Sequence, residues 1–216
     1  MYSIIKYALR TAILVIGIFI TTTSVMAFPV TVSFSGHVTG VQITQDDINV
    51  DDTFTGQFQY DSNEPPDWGD STSATYWHLY NYFFVNFNGL NYTMNIGGGV
   101  MEVYNNWTGR GPAMDGLAGS AFVDGPAIGG FGVYRFIFDL LGPSIFSSTN
   151  LPLGPVDLSS FTYFNVGELD FSGDGGLLGV FLTFDTFNIT SVPEPGILIL
   201  LGLSMVSIAG LRRWWK

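Results

Sequence analysis

Apolar and polar residues exchange one for one over residues 30–41. Val30, Val32, Phe34, Gly36 and Val38 share one parity, and Thr31, Ser33, Ser35, His37 and Thr39 the other. A period of two is the mark of a strand with one buried face. Residues 53–60 repeat it, with Phe54, Gly56, Phe58 and Tyr60 on one side. The aromatic stretch 76–87 predicts a strand with Phe83, Val85 and Phe87 inward. Asn88-Gly89 predicts a tight hairpin, because these residues accept positive φ, and 90–96 returns from it. Gly97-Gly98-Gly99 predicts another turn, followed by a strand at 100–104. Residues 62–73, with Pro65-Pro66, and residues 105–119 read as loops. Strands are predicted at 121–123, 133–140 and 167–171. At 177–190, Phe181, Thr183, Asp185, Phe187 and Ile189 oppose Leu182, Phe184, Thr186 and Asn188.

No helical period appears between residues 28 and 191. Roughly eight to ten short strands at short spacing predict an all-β fold, an antiparallel β-sandwich with the jelly roll as one form of it. The chain divides into three. Residues 1–27 read as a signal peptide: Lys6 and Arg10, then an apolar core at 11–20, then Val25-Met26-Ala27 with small residues placed for cleavage. Residues 28–191 are the β-sandwich body. Residues 192–216 form a tail of different character.

The tail opens with Pro193, Glu194 and Pro195, which exclude regular helix or sheet at that point. Residues 196–211 carry no charge, and Ser204 and Ser207 are their polar groups. As a helix this run rises roughly 24 Å, short of a ~30 Å hydrocarbon core. Trp214, Trp215 and the stems of Arg212, Arg213 and Lys216 can make up the difference at the interface. A single transmembrane helix with a cytoplasmic basic end is the expectation.

Val192-Pro193-Glu194-Pro195, Leu200-Leu201-Gly202-Leu203 and Arg212-Arg213, in that order, resemble the PEP-CTERM sorting tail of secreted bacterial proteins. Trp214-Trp215 departs from the plainer basic end of that pattern. Residues 52–61 also resemble a stretch found in bodies that carry such tails. The resemblance implies a Gram-negative host, processing near Pro193 by exosortase, and an inner-membrane intermediate. Delivery to the cell surface, outer envelope or extracellular biofilm matrix, alongside exopolysaccharide, would follow.

Charge sharpens the picture. The chain has a formal charge of −11, yet its body holds 17 acids against Arg110 and Arg135, a formal −15. Such acidity excludes nucleic acid and anionic surfaces as partners. The absence of cysteine removes disulfides, thiolate metal sites and a Cys nucleophile.

Chemistry is sparse. His37 and His78 are the two histidines, and neither a G-x-S-x-G elbow nor an H-E-x-x-H helix is present. A non-enzyme is expected, with a secreted hydrolase using His37 or His78 as the remote alternative. Asp46, Asp47, Asn49, Asp51 and Asp52 could supply oxygen ligands to Ca²⁺, although solvated acidic loops serve a secreted domain equally well. No other cofactor is implied. The loops Asp61-x-Asn63-Glu64-x-x-Asp67-x-x-Asp70 and Asp170-x-x-x-Asp174 invite the same two readings. Trp68 and Trp107, in loops rich in Asp, Asn and Gly, could stack on sugar rings or pack on the edge of the fold. The expected function is a structural or binding role in the envelope or exopolysaccharide matrix. A carbohydrate-binding or Ca²⁺-stabilised adhesive module is the alternative.

Overall fold

The computed structural model describes residues 27–42, 47–109, 111–173 and 176–191. The expected signal peptide, the Pro193–Pro195 motif, the predicted span and the basic end fall almost wholly outside them. Among the described residues no helix is long and apolar enough to cross a membrane.

The body is all-β and antiparallel, as the alternation predicts, but it is a closed barrel and not a sandwich or a jelly roll. Eight strands follow one another around the wall: β1 (Pro29–Val41), β2 (Thr53–Asp61), β5 (Tyr82–Phe87), β6 (Leu90–Trp107), β7 (Met114–Asp124), β8 (Gly132–Gly142), β9 (Phe164–Gly173) and β10 (Gly176–Ser191). Each pairs with the next, and β10 pairs back onto β1, with Val30 opposite Ser191. This is an up-and-down meander whose closure leaves no edge. The last pairing joins residues far apart in sequence, and no local pattern encodes it. Two short strands, β3 (Trp68–Gly69) and β4 (Ser73–Tyr76), form a flap in which β4 adds to the far half of β6.

Eight strands enclose a space that side chains just fill. Here phenylalanine fills it. Phe34 stacks on Phe136 at 5.7 Å and meets Phe184 edge-on at 5.7 Å. Phe58 lies 4.7 Å from Tyr80 and 5.8 Å from Phe138. Each fully buried ring contributes roughly 1.5–3 kcal/mol, and well-oriented aromatic pairs roughly 0.5–1.5 kcal/mol more. The inward parity of β1 and β2 is as read from sequence, and Gly56 shows why it includes a glycine: a Cβ there would overlap the Phe34 ring.

Several local expectations are corrected. Gly97-Gly98-Gly99 does not turn the chain, because β6 runs through it with a register shift between Met94 and Gly99. The glycines admit the 77–80 segment: the Tyr80 ring occupies the space of a Cβ on Gly99, and the Leu79 N–H donates to the Gly99 carbonyl at 2.9 Å. The predicted strand at 76–87 breaks at His78, which takes φ 54°. Parts of 62–73 and 105–119 are strand, recruited by long-range pairing. In β10 the strict alternation fails at a bulge. Ser35 faces Thr186 while Gly36 faces Phe184, so Asp185 is the extra residue. Leu182, Phe184, Phe187 and Ile189 therefore all point inward. The Asn88-Gly89 hairpin forms as expected, with φ values of 47° and 94°.

Segment 143–163 covers the end of the barrel where β1 begins and β10 ends. It buries Leu151 and Phe161 and contains one 3₁₀ turn, Leu158–Ser160. Tyr60 and Tyr76 hold it, donating to the carbonyls of Pro152 and Thr149. Burial pushes both phenols above their ordinary pKa, so they remain neutral donors.

Candidate functional site

In the acidic loops, Asp52 and Asp70 close turns. The Asn49 N–H donates to Asp52 Oδ2 at 2.7 Å, and Asp51 takes φ 71°. Asp46 lies outside the described residues; Asp47 is exposed. Asp70 Oδ1 accepts from the Thr72 N–H, the Thr72 hydroxyl and the Ser73 N–H at 2.7, 2.7 and 3.0 Å. These bonds, the Thr72 N–H foremost, hold the Asp70 carboxyl below its usual range. Asp67 accepts from the Trp77 N–H at 2.7 Å. Among the described residues no group of three or more His, Asp or Glu gathers as a metal cluster.

Trp68 and Trp107 sit in different surroundings. Trp107 is half-buried, stacked on Tyr104 at 4.6 Å, and packs with Met114, Ala118 and Leu141 on the outside of the wall. Trp68 stands on the flap with 65% of its surface exposed. Trp77, at the end of the same flap, is 53% exposed. It was hidden from sequence reading by the apparent strand at 76–87.

His37 and Asp185 come together across β1 and β10. His37 Nδ1 lies 3.2 Å from Asp185 Oδ1, and the bulge at Asp185 makes the meeting. Ser35, two residues back on the same face, shares a hydrogen bond with Thr186 at 2.8 Å. Further round the wall, across β8 and β9, Arg135 Nε donates to the buried Asp170 at 2.7 Å. Glu168 adjoins this pair. Burial pushes its carboxyl up, Asp170 adds to the shift, and Arg135 opposes it. Asp115, 1% exposed, accepts from the Asn106 and Phe146 N–H groups at 2.6 and 2.7 Å, tying the β6–β7 turn to segment 143–163.

A further organised surface was not singled out from sequence. On the outer wall of β10, β1, β2 and β5 the registers align in rows. Thr190, Thr31, Gln59 and Tyr82 form one. Asn188, Ser33, Gln57 and Phe84 form the next. Thr186, Ser35, Thr55 and Asn86 form a third. None of these residues is buried, and none is Asp, Glu, Lys, Arg or His. Gln57 donates to Ser33 at 3.3 Å and Gln59 to Thr31 at 3.2 Å, while the Tyr82 hydroxyl donates to Gln57. The Tyr82 and Phe84 rings stand 6.1 Å apart at 18°. The outward parities of β1, β2 and 82–87 carried the signal, but only the cross-strand register assembles it.

Compared with known families, residues 191–213 match the PEP-CTERM protein-sorting motif. The match begins at Ser191, the final residue of β10. Neither the curated proteins nor the solved structures returned a match to the chain.

Proposed function

We propose that this chain is a non-catalytic exported protein, passed by its tail to an exosortase and delivered to the cell surface or extracellular matrix. There the barrel has a structural or binding role alongside exopolysaccharide. The observation that carries the reading is the sorting motif at residues 191–213, which starts where the closing strand of the barrel ends. The interior supports it indirectly. Rings occupy the barrel axis, so recognition falls to the outer surface. The His37–Asp185 pair belongs to that outer wall, and the neighbouring Ser35 hydroxyl is engaged with Thr186. A hydrolase is not the reading these contacts favour.

The test is partition. The chain is expressed in an exosortase-positive host that makes exopolysaccharide and in a polysaccharide-deficient derivative. The expected result is protein in the washed matrix fraction of the first and in the medium of the second. Equal partition in both hosts would remove the matrix role.

A further inference from the structure

We infer that the outer wall of β10, β1, β2 and β5 is a docking face for a neutral polysaccharide. This rests on the matrix reading above and names its surface and ligand class. Within each row the side chains are spaced by strand pairing, about 4.8 Å from one strand to the next. They present hydroxyls and primary amides, and a sugar hydroxyl matches such groups because both sides donate and accept. The side chains are already fixed to one another: Gln57 to Ser33, Gln59 to Thr31, Ser35 to Thr186. A ligand that binds them therefore has little rotamer freedom left to freeze. At the β5 side, the half-buried rings of Tyr82 and Phe84, stacked on one another, offer apolar surface to the C–H groups of a pyranose.

Other occupants fit poorly. An anionic polymer or a nucleic acid requires cations, and these rows hold none on a body of formal charge −15. A stable protein interface requires an apolar, desolvated centre, whereas the middle of this face is serine, threonine and glutamine. A lipid surface requires apolar side chains in number. A neutral polyhydroxylated chain meets none of these objections, and uncharged polar groups leave water far more readily than carboxylates do.

The test is co-sedimentation of the full chain, in mild detergent, with microcrystalline cellulose and curdlan, two insoluble neutral glucans. Calcium alginate is the anionic comparator. The expected result is sedimentation with at least one glucan and not with alginate. Gln57→Glu/Gln59→Glu lowers the bound fraction at least tenfold, Tyr82→Ala/Phe84→Ala does likewise, and Trp68→Ala/Trp77→Ala leaves it unchanged. Thermal melting of each variant certifies the fold, and the aromatic pair decides the matter if the charged pair fails to fold. Equal binding to alginate, binding to neither glucan, or loss confined to the tryptophan variant would each overturn the proposal. A Gln57→Glu/Gln59→Glu chain that stays in the polysaccharide-dependent matrix fraction would remove this face and leave the matrix reading standing.

Discussion

Tyr60 and Tyr92 are both fully buried, and they carry opposite debts to the barrel. The Tyr60 hydroxyl donates to the Pro152 carbonyl. The Tyr92 hydroxyl has no hydrogen-bond partner among the described residues. A buried unsatisfied hydroxyl costs roughly 1–3 kcal/mol, and a satisfied one contributes roughly 1 kcal/mol. Tyr92→Phe is therefore expected to raise the melting temperature by a few degrees, and Tyr60→Phe to lower it by about as much. Calorimetry of the two variants checks the signs. Glu168 supplies a pH dependence. Its folded carboxyl is raised above the unfolded value, so its favourable contribution is complete below the unfolded pKa and disappears as pH rises through the folded one. Glu168→Gln is expected to melt higher than the natural chain at pH 7, with the gap closing toward pH 4. A gap that widens on acidification would contradict the assignment.

At the scale of elements, the period of two reports which residues face the core and is blind to what they pack against. The inward faces of β1, β2 and 82–87 were legible because alternation is a local property. The Asp185 bulge, the passage of β6 through its glycines and the recruitment of β3 and β4 were not, because partners distant in sequence impose them. Gly56 illustrates the coupling: its identity is set by Phe34 on the next strand. Gly56→Ala forces the Phe34 ring to move and is expected to destabilise by about 1–3 kcal/mol, as overpacking does, measured as a shift in urea midpoint. Asp115 couples two loops in the same way. Asp115→Ala leaves the Asn106 and Phe146 N–H groups without their acceptor. Protease cleavage within 143–163 is then expected to quicken, while Asp115→Asn retains part of the protection.

For the whole molecule, closure by β1 and β10 puts Val30 opposite Ser191, so both ends of the described body leave from one end of the barrel. The sorting match begins on that last residue. From Ser191 to the start of the apolar run at Gly196, with four residues between them, the chain can span at most about 18 Å. On the proposed reading, an exosortase acting at Pro193–Pro195 works that close to the folded barrel. The tail was legible because order and charge alone specify it. Barrel closure and the polar outer wall were not, because both are products of register. The most direct test is intact mass and location of the chain in hosts with and without exosortase. The account predicts a product ending near Pro193, found outside the cell only where the enzyme is present. A full-length chain in the inner membrane of both hosts would contradict it.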